Sequence, residues 1–148
     1  TFMENAILKA KYYSEKTGLP CLADDSGLAV DALDGAPGVY SARYAGVHGD
    51  DDANNEKLIR ELQGKSDRTA HYVCALALVH PNGNSVTAEA SCDGEIQDTP
   101  LGTNGFGYDP YFFVPRFGKT MAELDIDTKE TISHRGKALQ ELVAKVNK

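Results

Sequence analysis

The sequence predicts an α/β fold in which helices flank a mixed β-sheet, and three observations lead to it. Helix signals and strand signals alternate along the 148 residues, as they do in layered α/β domains. An apolar run at 69–79 and a second strand-like run at 85–91 flank a Pro-Asn-Gly-Asn turn, which predicts a hairpin. No repeat or linker divides the chain, so we expect a single domain over residues 1–148.

Three helices are predicted from their caps and their apolar spacing. The first opens with a capping box of Thr1 and Glu4 and ends at Gly18. The second covers 50–63 and begins with three aspartates, which suit the N-terminal end of a helix, so we assign this acidic run no catalytic role. The third carries an apolar stripe at helical spacing over 138–146.

Five strand-like runs lie between the predicted helices, each bounded by turn-forming residues. They are residues 19–23, 28–33, 69–79, 85–91 and 111–114. The two longest runs form the hairpin, and the last run precedes the C-terminal helix. The first two runs are short and are separated by four polar or small residues.

Those four residues contain two adjacent carboxylates, Asp24 and Asp25. Side chains of a strand alternate between its faces, so we expect at most one of the two to face a given cleft. A carboxylate at a strand end can hold Mg²⁺ or take a proton from water. The alternative is a solvated Asp-Asp-Ser-Gly turn, a common role for these residue types.

A second motif is the run Asn-Gly-Phe-Gly-Tyr-Asp-Pro at 104–110. Its glycines let the backbone approach a ligand closely, Phe106 and Tyr108 offer stacking faces, and Asp109 accepts hydrogen bonds. This combination predicts a grip on a planar heterocycle. The alternative is a glycine-rich turn between strands whose aromatic rings are buried.

A third motif, Ser-His-Arg-Gly-Lys at 133–137, leads into the last apolar stripe. His134 and Arg135 precede Ala138 by four and three residues, so both can point along the stripe toward the protein. Arg and Lys side chains, including Lys129, carry only donors, which suit phosphate oxygens and purine carbonyls. The alternative is a basic, solvated helix start.

Composition narrows the range of partners. The formal net charge of −7 argues against a nucleic-acid polymer, whereas one triphosphate needs only a few local cations and Mg²⁺. No apolar run reaches membrane-spanning length. Three widely spaced cysteines without a Cys-x-x-Cys motif predict reduced thiols in a cytoplasmic protein without a zinc site.

Together these motifs resemble the inosine/xanthosine triphosphate pyrophosphatase family. They follow the family's order at 1–9, 22–46, 105–112 and 133–139 and cover nearly the whole chain. The family cleaves the bond between the α- and β-phosphates of ITP, dITP and XTP with Mg²⁺, which yields the monophosphate and pyrophosphate. The resemblance implies a long twisted sheet with two lobes flanking a central cleft, and a homodimer.

The resemblance also implies roles at the phosphate end of the cleft. Lys9 and Lys129 would contact phosphates, and Ser26 would lie beside them. Asp25 would serve both the metal ion and the attacking water.

At the base end, the resemblance implies that Phe106 stacks on the purine while Asp109, His134 and Arg135 read its edge. A donor aimed at the carbonyl of hypoxanthine or xanthine meets a second donor in adenine. A site built on such a hydrogen bond discriminates by roughly 10⁴–10⁵. The resemblance implies two further substrate-binding residues, Gly107 and Tyr108, in the run at 104–110.

One departure concerns the N-terminus. Family members begin with a phosphate loop of the Thr-Gly-Asn-x-x-Lys kind and an acidic metal ligand, and neither precedes the first motif here. We therefore expect an N-terminally incomplete pyrophosphatase domain that is weak or inactive by itself. Two alternatives remain, a non-catalytic nucleotide-binding module and a protein-interaction domain that uses the hairpin.

Overall fold

Five strands form one antiparallel sheet in the computed structural model, which describes residues 1–105, 107–132 and 134–147. In spatial order they are β1 (Cys21–Val30), β2 (Thr69–Val79), β3 (Ser85–Ile96), β4 (Phe112–Val114) and β5 (Lys119–Thr120). The predicted α/β class and the central hairpin are confirmed. Where the sequence analysis expected a mixed sheet, every pair of these strands is antiparallel.

Helices flank this sheet as expected. They are α1 (Phe2–Thr17), α2 (Asp51–Glu61), α3 (Ile126–Ile132) and α4 (His134–Val146). The predicted capping box opens α1, and Gly18 closes it in the left-handed region. The N-cap of α2 is Asp50, whose carboxylate accepts from the Ala53 N–H. Helix α3 was not predicted, because it is only 7 residues long. No described helix is long and apolar enough to cross a membrane.

The prediction of two short strands around the aspartates is wrong, because β1 is one strand of 10 residues. Its ladder with β2 continues through the polar segment, where Asp24 is opposite Leu76 and Gly27 is opposite Val73. Backbone pairing with a long neighbour therefore overrides the turn preference of these residue types. At Gly27 an added Cβ would lie 2.6 Å from the Gly38 carbonyl oxygen. Only glycine at position 27 therefore lets the backbone at Gly38 lie so close to β1.

Two strand ends also differ from the prediction. Asp31–Leu33 forms a short 3₁₀ helix rather than the end of a strand, and β3 continues to Ile96 instead of ending at residue 91. The extension of β3 pairs Glu95 and Ile96 with β4, a long-range partner that local sequence does not reveal.

Helices α1 and α4 pack on opposite faces of β2. Ala75 belongs to the cluster that holds Ala6 and Ala10 of α1, whereas the neighbouring Cys74 packs with Ala138 of α4. This division follows from the alternation of side chains along a strand. Helix α1 also packs against β1, whereas α4 also packs against β3.

A further core cluster forms the floor of the cleft. It packs Leu28 of β1, Tyr72 of β2 and Phe112 of β4 with Leu58 of α2. Leu28 and Tyr72 also line the cleft described below. Packing of the core and shape of the cleft are therefore coupled at these residues.

Candidate functional site

A cleft of about 770 Å³ brings together nine of the ten residues that the sequence analysis selected. The tenth, Phe106, lies outside the described residues. The nine come from α1, β1, the turn at 107–109, α3 and the start of α4. They are Lys9, Asp25, Ser26, Gly107, Tyr108, Asp109, Lys129, His134 and Arg135.

At one end of the cleft, Asp25 of β1 lies against α1. Its carboxylate accepts a hydrogen bond from Asn5 Nδ2 at 3.2 Å, and Lys9 Nζ lies 3.8 Å from its other oxygen. Lys9 Nζ also donates to the Asp24 carbonyl. The Asp25 side chain keeps 19% of its surface exposed, so a ligand in the cleft can reach it.

Asp24 also lines the cleft, which contradicts the expectation that at most one of the two carboxylates would face it. Its Oδ2 contacts Arg135 of α4 at 3.2 Å and accepts from Ser26 Oγ at 3.3 Å. Asp25 contacts α1 and Asp24 contacts α4, as alternation requires. Both reach the cleft because β1 is the terminal strand of the described sheet, and the cleft extends around it.

The chemistry of this end fits a magnesium ion shared with a phosphate ligand. Among the described side chains, which exclude those of residues 106, 130, 131, 133 and 148, no group of three or more His, Cys, Asp or Glu is arranged to hold a metal ion. Mg²⁺ usually keeps waters and binds through one or two carboxylates together with substrate phosphates. The part-exposed carboxylate of Asp25 suits that arrangement.

At the other end, a buried carboxylate is surrounded by donors. Asp109 is 6% exposed. Its Oδ1 accepts from the Tyr72 hydroxyl at 2.8 Å, and its Oδ2 accepts from Lys129 Nζ at 2.6 Å. Lys129 was expected at the phosphates, whereas its ammonium group lies against Asp109.

Side chains of α2 form two hydrogen bonds with the turn at 107–109. Gly107 donates its N–H to Asp51 Oδ2 at 3.0 Å, and its carbonyl accepts from Asn55 Nδ2 at 2.8 Å. At Gly105 an added Cβ would lie 2.3 Å from Asp109 Oδ2. The acidic run thus positions the turn, a role that the sequence analysis missed because a helix cap explains aspartates there equally well.

Tyr108 follows the buried alternative that the sequence analysis left open for the aromatic residues. Its ring is 5% exposed, and its hydroxyl donates to the Ser41 carbonyl at 2.6 Å. It borders the cleft while joining the turn to the 3₁₀ helix Gly38–Arg43. Burial raises the pKa of its hydroxyl, which therefore stays protonated and able to donate.

His134 is stacked on Tyr72, with ring centroids 5.0 Å apart and planes at 16°. Its Nδ1 is buried and has no hydrogen-bond partner among the described residues. Burial, followed by the positive charge of Arg135, lowers the pKa of His134 to about 4. At pH 7 the imidazole is neutral, so one of its nitrogens is a donor and the other an acceptor.

The lowered pKa of His134 predicts that the free energy of unfolding decreases in acid. Between about pH 6.5 and pH 4 the unfolded chain binds a proton at His134 that the folded chain refuses, so stability falls as the pH falls. The loss attributable to His134 is about 3 kcal/mol at pH 4 and below. Denaturant unfolding at pH 4–8 measures this loss. The loss attributed to His134 should be present in the wild type and absent from His134→Gln.

His71 provides the internal comparison, since its pKa is raised, chiefly by a hydrogen bond to Asp93. Its contribution to stability is fully present below the unfolded pKa and is lost as the pH rises through the folded one. Changing His71 should therefore alter the pH dependence in the opposite sense. Parallel curves for the wild type and His134→Gln would contradict the prediction for His134.

Comparison with known proteins gives a consistent result. The model of the Ham1 family matches residues 1–145. A dITP/XTP pyrophosphatase of an Exiguobacterium species is 54% identical over 146 residues, 99% of this chain and 74% of that protein. The dITP/XTP pyrophosphatase of Geobacter sulfurreducens is 55% identical over 141 residues, 94% of this chain and 71% of that protein.

Solved structures of similar proteins share the fold of this chain. The Ham1 protein of Staphylococcus aureus superposes with a TM-score of 0.96 at 46% identity, and the match covers 99% of this chain and 77% of that one. A nucleoside-triphosphatase / dITP/XTP pyrophosphatase from Mycobacterium abscessus gives 0.85 at 51% identity, over 96% of this chain and 74% of that one.

Proposed function

The chain belongs to the Ham1 family, and on this premise we propose that it hydrolyses deaminated purine nucleoside triphosphates, namely ITP, dITP and XTP. The products are the nucleoside monophosphate and pyrophosphate, so the enzyme would remove these nucleotides from the pool. The observation that carries the proposal is that one cleft holds two chemically different groups of side chains, Asp25 with Lys9 and the buried Asp109 with its donors. We add Mg²⁺ as the metal, a homodimer as the assembly and the cytoplasm as the location.

The phosphate end supplies the reacting groups. Lys9 has half its side chain exposed and is anchored to the Asp24 carbonyl, so its ammonium group can donate to phosphate oxygens. A water oxygen bonds to phosphorus as the bridging P–O bond between the α- and β-phosphates breaks, and Asp25 accepts the proton of that water. Mg²⁺ held by Asp25 and the triphosphate would neutralise charge on the phosphate oxygens.

The base end supplies the selectivity. Lys129 is a donor fixed on Asp109, and the neutral imidazole of His134 lies beside it in the same cleft. Donors at this end pair with the carbonyl of hypoxanthine or xanthine and oppose the amino group of adenine. Arg135 contacts Asp24 and Ser26 through its Nη2, and we expect its guanidinium group to read the base edge.

Pyrophosphate release from ITP, dITP, XTP, ATP and GTP by the full-length protein, which all the kinetic tests below also use, tests the function directly. We expect turnover of the first three with Mg²⁺, at an efficiency that exceeds that for ATP by roughly 10⁴-fold. Removal of divalent ions with EDTA should stop the reaction, and Mg²⁺ should restore it. Binding of ITP without pyrophosphate release would instead indicate a nucleotide-binding module, and absence of both would refute the proposed function.

A further inference from the structure

Tyr72 is a residue of the cleft that the sequence analysis did not select. It lies in the middle of β2, is 7% exposed, and borders the base end of the cleft. An aromatic residue in a long apolar strand normally belongs to the core, so nothing in the sequence marked it. Its surroundings give it a second role.

The ring of Tyr72 is held on two sides. Phe112 of β4 lies 4.4 Å away between ring centroids, with planes tilted by 31°. The imidazole of His134 stacks at 5.0 Å. Because two rings and the strand backbone confine it, the phenol has little freedom to change its rotamer.

The Tyr72 hydroxyl acts on Asp109. It donates to Oδ1 at 2.8 Å while Lys129 Nζ contacts Oδ2 at 2.6 Å. The two donors fix the plane of a buried carboxylate, and Asp109 in turn lies against Gly105, where no Cβ would fit. Burial and the charge of Asp109 raise the pKa of Tyr72 well above its usual value, so the hydroxyl remains a donor.

We propose that Tyr72 is a positioning residue for base selection, which sets the orientation of both Asp109 and His134 toward a purine edge. The inference rests on the proposed function and deepens it. The phenol hydroxyl orients the carboxylate and the phenol face orients the imidazole. One side chain of the floor thereby couples two groups from different elements, the 3₁₀ turn Asp109–Tyr111 and α4.

The variant Tyr72→Phe isolates the hydroxyl, because it keeps the ring and its contacts with Phe112 and His134. We expect kcat/KM for ITP to fall about 10-fold or more, the scale of losing a hydrogen bond to a charged group. The efficiency for ATP should change by less than about twofold, so the ratio of ITP to ATP narrows. The matched control is Tyr44→Phe, which removes a hydroxyl bonded to Glu61 outside the cleft.

A purely structural role predicts different results. It would lower the efficiency for ITP and ATP by the same factor, or lower only the melting temperature, and either outcome overturns the inference. A further test repeats Tyr72→Phe in an Asp109→Asn background. There the change in the logarithm of the ITP-to-ATP ratio of kcat/KM should be at most half of the change in the wild-type background, because the hydroxyl acts through the carboxylate. An undiminished effect there would also overturn it.

Calorimetric binding of IMP and AMP separates this inference from the proposed function. The wild type could bind IMP in preference to AMP and yet release no pyrophosphate from ITP. The proposed function would then be refuted, while the ratio of the dissociation constants for IMP and AMP would still test the role of Tyr72. Tyr72→Phe should then reduce the preference for IMP by about 10-fold. An unchanged preference, or a wild type without any preference, overturns the inference.

Discussion

Replacing Asp25 by asparagine is expected to remove nearly all pyrophosphate release and to leave the fold intact. Asparagine cannot accept the proton of the attacking water and is a poorer ligand for Mg²⁺, so kcat should fall by about 10²–10⁴-fold. The fold should survive, because asparagine has the same shape and the backbone of residue 25 keeps its register with Ala75. Steady-state kinetics with ITP and thermal unfolding measure the two effects separately.

A matched control for this variant is Asp31→Asn, which changes an aspartate directly after the same strand and outside the cleft. It should retain wild-type kcat, although it weakens the contact of Asp31 with His71. Near wild-type turnover by Asp25→Asn would refute the assignment. Proton transfer and metal binding would then have to move to Asp24, the other carboxylate of β1 in the cleft.

Replacing Lys129 by methionine is expected to lower both stability and selectivity. The change keeps the length of the side chain and removes the positive charge that contacts the buried Asp109 carboxylate. The free energy of unfolding should fall by about 3 kcal/mol, the lower end of the range for breaking a buried ion pair, since 24% of the Lys129 side chain is exposed. The value of kcat/KM for ITP should fall about 10- to 100-fold.

A double-mutant cycle sharpens the test. In Asp109→Asn a neutral amide replaces the carboxylate, so Lys129→Met in that background should cost much less stability than it does alone. Lys145→Met is the matched control, since Lys145 pairs with Glu141 on the surface of α4 and such pairs contribute little. Equal costs of Lys129→Met in both backgrounds would show that the ion pair does not carry the effect.

Elements with local signals were predicted well from the sequence. The capping box and Gly18 define α1, Asp50 defines the start of α2, and an uninterrupted apolar run defines β2 with its correct ends. Each signal lies within a few residues of the feature that it specifies. The continuity of β1 was missed because its polar segment has turn preferences of its own, and only pairing with β2 outweighs them.

For the site, too, some features followed from the sequence and others depended on the tertiary structure. The sequence by itself determined which residue types can serve a triphosphate and a purine, and the order of the motifs identified the family that brings them together. Only the tertiary structure decided that Lys129 contacts Asp109, that Asp51 holds Gly107, and that both β1 carboxylates reach one cleft. Asp51 and Gly107 are 56 residues apart in the chain. Such contacts depend on how the elements pack, and neither residue carries a local signal that names its partner.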